Sequence, residues 1–142
     1  MCPNTFGVCG VRACMIFDSD VLIWFFRGEP GAGRLIDSQP VRRLSIVSLM
    51  ELFQGAKSKR EMSELRRFFR DNSFEVIPVD EPIGYAAVGL IEDYALSDGL
   101  QVADALIAAT ALQSGDTLAT ANVRHFRPVR GIQLKQFRPA VR

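Results

Sequence analysis

The sequence predicts an α/β fold, a three-layer sandwich in which helices cover both faces of a central, mainly parallel sheet of four to five strands. Short apolar runs alternate with helical patterns along the chain, which is typical of parallel sheets. The runs IVSL and VIPV are nearly continuous in apolar residues, as expected for strands that are covered on both faces. A length of 142 residues with 48% apolar composition allows one domain with a sizeable core.

Short apolar runs mark the strands. MIFD is the first convincing one, and a fifth, near the end of the chain, is weaker than the others. The predicted strands are Met15–Asp18, Leu44–Val47, Phe74–Val79, Thr117–Thr120 and Ile132–Lys135.

Helical patterns lie between these runs, and glycine or proline marks several of their ends. Gly28 and Pro30 end the first, Pro40 stops the second, and Gly115 ends the last. Pro82 occupies a first-turn position in the fifth, where its missing N–H is tolerated. The predicted helices are Ser19–Phe26, Ala32–Ser38, Ser48–Lys57, Glu61–Arg70, Glu81–Leu96 and Gln101–Gln113.

The first fourteen residues differ from the rest of the chain. They match no helix or strand period, so we expect a tail over residues 1–14, with Met15 as a hypothetical native start and residues 15–142 as the domain. All three cysteines, Cys2, Cys9 and Cys14, lie there, which predicts neither a disulfide framework nor a structural zinc site. With no apolar run near the ~20 residues of a membrane span and no signal-peptide centre, the expected location is the cytoplasm, without a membrane partner.

The net charge of +1 hides a strong segregation of charge along the chain. Residues 71–123 carry nine acids and no Lys or Arg. An acidic centre between basic segments suits a metal-dependent nuclease. Taken alone, however, the basic runs are better explained as ordinary solvated helix faces. The two basic groups are Lys57, Lys59, Arg60, Arg66, Arg67 and Arg70, and Arg124, Arg127, Arg130, Lys135, Arg138 and Arg142.

Three acids, Asp18, Glu51 and Asp104, each stand alone in an apolar stretch. Carboxylates are rarely buried without compensation, and a divalent metal with oxygen ligands would provide it for all three. Asp18 closes the first strand and Glu51 lies just past the second, which places both at the carboxyl edge of the sheet. Capping is the structural alternative for each: Asp18 or Asp20 at a helix N-cap, Glu51 in a capping box with Ser48, and Asp104 in a first helical turn.

Four segments, in this order, resemble PIN-domain ribonucleases, specifically VapC-type toxins of type II toxin–antitoxin systems: MIFDSDVLIWFFRG, SLMELFQGA, VADALIAATAL and LATANVRHF. The resemblance covers Met15 to about Phe137. It implies that Asp18, Glu51 and Asp104 are catalytic metal ligands. Asn122 stands where the family commonly has an acid, which implies a weaker or single-ion site, and Thr120 and Asp20 are implied as supporting residues.

The same resemblance implies the activity and the partners. We expect a Mg²⁺-dependent endoribonuclease, with Mn²⁺ as a substitute, that cleaves cellular RNA through a metal-activated water. A VapB-type antitoxin is expected to cover apolar surface around Leu22–Leu35 and Leu49–Phe69, and a homodimer is expected.

Two other functions stay open. Asn122 is compatible with a non-catalytic RNA- or antitoxin-binding module whose metal site has decayed. The D-x-D pattern of Asp18 and Asp20 is similar to haloacid-dehalogenase-type phosphatases, but Leu22 departs from that pattern and residues 71–123 contain no lysine.

Aromatic residues and the single histidine are assigned structural roles. Trp24, Phe25 and Phe26 are expected in the core or at an interface, and His125, the only histidine, is expected to be packed or hydrogen-bonded. Asp98 and Asp116 are not expected to take part in the site.

Overall fold

A computed structural model describes residues 14–140 and gives one parallel sheet with helices on both faces. The strands are ordered β3-β2-β1-β4-β5, and every neighbouring pair is parallel. The elements in chain order are β1 (Met15–Phe17), α1 (Ser19–Phe26), α2 (Pro30–Asp37), β2 (Arg42–Ser45), α3 (Ile46–Gln54), α4 (Lys59–Asp71), β3 (Phe74–Ile77), α5 (Glu81–Asp98), α6 (Val102–Ser114), β4 (Thr117–Thr120), α7 (Val123–Phe126) and β5 (Gln133–Gln136). The predicted fold class is confirmed.

The predicted boundary between the second strand and the third helix is wrong. Ile46 and Val47 form the first turn of α3 and are not part of a strand. The cause is Ser45, whose hydroxyl accepts a hydrogen bond from the Val47 N–H at 3.0 Å and caps a helix that begins at Ile46, two residues before Ser48. The capping box of Ser48 and Glu51 is therefore wrong as well, since Glu51 lies in the middle of the helix.

Sequence periodicity did not reveal α7, which has only four residues. Such a segment is shorter than the repeat from which an amphipathic helix is recognised. The other helices match the predicted ones to within a few residues at each end. The first helix, Ser19–Phe26, and the fourth strand, Thr117–Thr120, have the predicted bounds.

Hydrophobic cores lie on the two faces of the sheet because successive strand residues point to opposite sides. On β1, Phe17 packs with Leu22 of α1, whereas its neighbour Ile16 packs with Ile107 of α6. Phe17, Ile16 and Leu22 are fully buried. The first core is covered by α1 to α4 and the second by α5 to α7, which makes the three layers.

The amino end of the sheet is held by a buried ion pair. The Arg43 guanidinium contacts Asp116 at 2.7 Å and Glu75 at 3.0 Å, which joins β2 to β3 and to the start of β4. Asp116 is almost fully buried. It serves the fold at the edge opposite to the predicted site, as expected of a residue outside that site.

The hypothesis of a tail with a later start concerns residues that lie outside the described range, apart from Cys14. Cys14 is buried and disulfide-bonded. Among the helices of this range, none combines the length and the apolar character needed to cross a membrane.

Candidate functional site

The carboxyl ends of β1 and β4 meet at Asp18 and Thr120. The two strands are paired in parallel, and the Asp18 N–H extends the ladder by donating to the Ala119 carbonyl at 2.9 Å. This register places the Thr120 hydroxyl 2.8 Å from Oδ2 of Asp18. The other oxygen of Asp18 accepts from the Ser19 N–H at 2.8 Å and caps α1. Asp18 therefore has both a capping contact and a long-range contact.

Asp20 joins the same group. Its Oδ2 accepts from the Ala121 N–H at 3.0 Å and lies 3.2 Å from the Thr120 hydroxyl. Its Oδ1 is buried and has no hydrogen-bond partner within residues 14–140. A buried carboxylate oxygen without a partner is costly, so this atom is a candidate for binding a cation.

Glu51 reaches the cluster through Ser19. The Ser19 hydroxyl donates to Oε1 of Glu51 at 3.0 Å, although the two residues are 32 positions apart along the chain. Glu51 itself is exposed, and the capping role weighed for it does not apply. Its side chain is therefore accessible to an ion or a substrate.

Burial and the neighbouring acids change the pKa of Asp18. Burial and, after it, the charge of Asp20 raise the pKa of Asp18 from 3.8 to about 7, with a smaller contribution from Glu51. Burial also raises the pKa of Asp20, against the hydrogen bonds from Ala121 and Thr120. Since the Thr120 hydroxyl has one proton and faces both carboxylates, it satisfies only one of them at a time. A proton or a cation is needed to balance the cluster.

Asp104 lies on the first turn of α6, beside α7. Its Oδ2 is 3.6 Å from Nδ1 of His125, which is an ion-pair contact when the imidazole is protonated and is too long for a hydrogen bond. Burial raises the pKa of Asp104, while His125 and the backbone N–H of Gln101 oppose this shift. Gln101 is the N-cap residue, so Asp104 is partly engaged at the start of its helix.

The structure thus links Asp18, Asp20, Glu51 and Thr120 by hydrogen bonds and by charge, and it shows no such contact between them and Asp104. Within residues 14–140, no three His, Cys, Asp or Glu side chains converge closely enough to form a ready metal site. The donor chemistry nevertheless fits a hard divalent cation: oxygen ligands, a buried Asp20 Oδ1 without a partner, and an Asp18 carboxyl whose pKa is raised by burial and then by the neighbouring acids.

Asn122 follows the cluster at the end of β4. Its backbone N–H donates to the Thr120 hydroxyl at 3.0 Å, and its side chain does not cap α7. The side chain lines a cleft of about 370 Å³ together with Gln136 and residues of α7. A second cleft, of about 700 Å³, is lined by Asp104, Asp98 and other residues of the α5–α6 junction and α7.

From the sequence, the His125 side chain is expected to be packed or hydrogen-bonded, whereas in the structure it is exposed and lies beside Asp104. A single histidine in ANVRHF does not indicate that Asp104 is its neighbour. The aromatic residues of α1 behave as expected, since Phe25 and Phe26 pack against Phe68 with ring centroids 5.3 and 5.0 Å apart.

Comparison with known families and structures gives consistent results. The PIN-domain family model matches residues 15–131. A toxin–antitoxin complex from Klebsiella pneumoniae contains a chain with 28% identity and a TM-score of 0.69, covering 83% of this chain and 94% of that one. No curated protein matches the sequence significantly.

Two more distant structures share the fold. DNA-bound VapBC from Salmonella typhimurium matches with 23% identity and a TM-score of 0.72, covering 87% of this chain and 98% of that one. VapBC2 from Rickettsia felis, bound to a DNA fragment from its promoter, matches with 19% identity and a TM-score of 0.73, covering 88% and 99%. The family model spans most of the sequence, from the start of β1 to the turn between α7 and β5, and the chain therefore belongs to the PIN-domain family.

Proposed function

We propose that this protein is a VapC-type toxin, a Mg²⁺-dependent endoribonuclease that cleaves cellular RNA in the cytoplasm and is neutralised by a cognate VapB-type antitoxin. The observation that carries the proposal is the crowded carboxylate cluster at the carboxyl edge of the sheet, where the pKa of Asp18 is raised to about 7. A fold alone does not define an activity, but a strained acidic site at the edge where α/β folds bind ligands supports one.

In this proposal Asp18, Glu51 and Asp104 hold the ion, with Mn²⁺ as a substitute for Mg²⁺, and Asn122 completes the site. The chemistry that such an ion supplies is the acidification of a water and the neutralisation of charge on the phosphate. Thr120 has a positioning role, because its hydroxyl contacts Asp18 and the Asn122 backbone at once. Asp20 supports the site with its Oδ1, which is buried and has no hydrogen-bond partner within residues 14–140. Asn122 contributes an amide oxygen without charge, which weakens the hold on the ion.

Exposed apolar side chains support the proposed partners. Phe26 of α1 and Met50 of α3 are 43% and 55% exposed, within the surface that we assign to the antitoxin. Tyr85 and Leu96 of α5 are 72% and 101% exposed, and we assign this second surface to a homodimer. The Klebsiella pneumoniae relative comes from a toxin–antitoxin complex, which supports the first assignment.

A second candidate is a PIN-like module that binds RNA or the antitoxin without cleaving RNA. It is favoured by Asn122 in the place of an acid and by the lack of a converged three-ligand site within residues 14–140. The two candidates differ only in whether the phosphodiester bond is cut.

The test is an RNA cleavage assay on purified protein that is free of antitoxin. Wild type is compared with Asp18→Asn and Glu51→Gln, each with Mg²⁺ and with chelator, and Arg67→Ala serves as a distant control. We expect wild type and the control to cleave RNA in Mg²⁺, and both acid variants to cleave it at least 100-fold more slowly. In chelator, none of the four proteins should cleave RNA. Cleavage that persists in chelator contradicts the metal mechanism, and RNA binding without cleavage in every condition supports the second candidate.

A further inference from the structure

The short helix α7 forms a basic ridge between the two clefts. Arg124, His125 and Arg127 line the cleft of about 700 Å³ and also the cleft of about 370 Å³, so their side chains separate one from the other. All three are exposed. We call these three residues the basic ridge.

The two arginines of the ridge are free to bind an anion. Neither Arg124 nor Arg127 has an ion pair or a side-chain hydrogen bond to any residue in 14–140, whereas Arg43, Arg60 and Arg70 are each paired with a carboxylate. From Thr117 to the C-terminus the sequence contains no acid, so no neighbour along the chain neutralises them. A planar guanidinium offers a fork of donors that matches phosphate oxygens.

The ridge lies beside two of the proposed site residues, one in each cleft. In the larger cleft it faces Asp104, whose Oδ2 lies 3.6 Å from His125. In the smaller cleft it faces Asn122, which follows the Thr120 that holds Asp18. A strand crossing the ridge would therefore pass the site residues at both of its sides.

The lining of the clefts indicates which polyanion fits. Residues with amide side chains line both clefts: Gln101 the larger one, Asn122 and Gln136 the smaller one. The Gln101 amide donates to the Gly99 carbonyl and the Gln136 amide oxygen accepts from Arg138, which leaves the other polar atom of each amide for a ligand. Amides pair with the edges of unstacked nucleobases, and single-stranded RNA presents such bases on either side of a phosphate. An acidic peptide would also bind the arginines, and Asp98 and Asp104 oppose either polyanion alike, so polyglutamate is the competitor that tests this choice.

We propose that the basic ridge is a backbone-phosphate subsite for single-stranded RNA, with Arg124 and Arg127 binding consecutive phosphates and the two clefts receiving the flanking bases. This inference rests on the proposed function, since it assigns the path of the same substrate. It concerns binding only, so it can be measured where no cleavage occurs.

The experiment measures the anisotropy of a fluorescent, mixed-sequence 20-nucleotide single-stranded RNA in chelator, from about 50 to 300 mM salt. Arg124→Ala and Arg127→Ala are each expected to weaken binding about 5- to 10-fold at low salt and to reduce the slope of log K against log salt by about 0.7 to 1. Arg124→Lys keeps the charge and is expected to keep the slope. The matched control is Arg67→Ala on α4, which packs against β3 at the opposite edge of the sheet from β5 and α7.

The outcomes separate this proposal from the proposed function. If wild type binds and cleaves RNA but both ridge variants keep the wild-type affinity and salt slope, the phosphate subsite is contradicted and the proposed nuclease activity is not. Equal losses in Arg67→Ala also overturn the ridge, because binding is then diffuse. Tighter binding of polyglutamate than of RNA would make the ridge a protein contact and overturn it. The remaining outcome is that the ridge variants lower the slope of log K against log salt while wild type does not cleave RNA in Mg²⁺. This outcome supports the phosphate subsite and contradicts the proposed nuclease activity.

Discussion

The Thr120 hydroxyl lies 2.8 Å from the Asp18 carboxylate, although 102 residues separate them along the chain. The contact exists because β1 and β4 are neighbouring parallel strands whose carboxyl ends coincide. Through it, the two central strands share one polar centre, to which Asp20 and the Asn122 backbone also bind. The stability and the titration of the protein should therefore respond to both residues.

Asp18→Asn should change how stability depends on pH. Because the pKa of Asp18 is raised to about 7 in the folded protein, the unfolded chain holds fewer protons on this group between pH 4 and pH 7. Wild-type stability should therefore fall as the pH rises through this window. The asparagine variant has no carboxyl at this position and should not lose this stability. Between pH 4 and pH 8, the free energy of unfolding of wild type should fall relative to that of Asp18→Asn by on the order of 4 kcal/mol, at about 1.4 kcal/mol per pKa unit.

The measurement is urea unfolding in chelator at several pH values. Asp37→Asn is the control, since Asp37 is exposed and its side chain makes only a 3.8 Å contact with Arg42. Its stability should follow the wild-type pH profile. An Asp18→Asn profile that runs parallel to wild type would mean that this carboxyl is not perturbed by its neighbours.

Thr120→Val should destabilise the protein by about 1–3 kcal/mol, because it removes a buried hydroxyl that contacts Asp18, Asp20 and the Asn122 N–H. Cleavage of RNA should also fall, since the carboxylates lose their common partner. Thr110→Val is the matched control: Thr110 is equally buried, but its hydroxyl only donates to the Leu106 carbonyl in α6. Chemical denaturation and cleavage rates of the two variants give the comparison, and equal effects would argue against a special role of Thr120.

Arg43→Met should destabilise the protein by about 3–5 kcal/mol, because it leaves the buried Asp116 carboxylate without its closest cation. Activity per folded molecule should be unchanged, since the pair lies at the amino end of the sheet. Arg60→Met removes the exposed pair with Glu64 and should cost less than about 1 kcal/mol. Urea unfolding checks both values. A similar small cost for the two variants would show that the buried pair does not hold the sheet edge.

Local signals predicted most of the fold, and they failed where two signals competed. The apolar run of Ile46 and Val47 resembles a buried strand, but the Ser45 hydroxyl caps a helix there, and a side-chain hydrogen bond is not visible in periodicity. The same error made a capping box with Ser48 the structural alternative for Glu51, whereas the side chain of Glu51 contacts the Ser19 hydroxyl on another helix.

The site was predictable as a set of strand-end acids but not as a set of contacts. Position after a strand placed Asp18 and Glu51 at one edge of the sheet, and the parallel register of β1 and β4 brings Asp18 to Thr120. The neighbour of Asp104 could not be predicted, because His125 belongs to a helix of four residues that no repeat reveals. The basic residues of the ridge are visible in the sequence, but their position between two clefts and beside Asp104 depends on tertiary structure.

Calorimetric titration of Mg²⁺ and Mn²⁺ into wild type, Asp18→Asn, Glu51→Gln and Asp37→Asn tests most directly whether the carboxylate cluster is a metal site. The account predicts that wild type and Asp37→Asn bind the ions alike, and that Asp18→Asn and Glu51→Gln bind them at least tenfold more weakly. Equal affinity in all four proteins, or no binding by wild type in the presence of RNA, would contradict it.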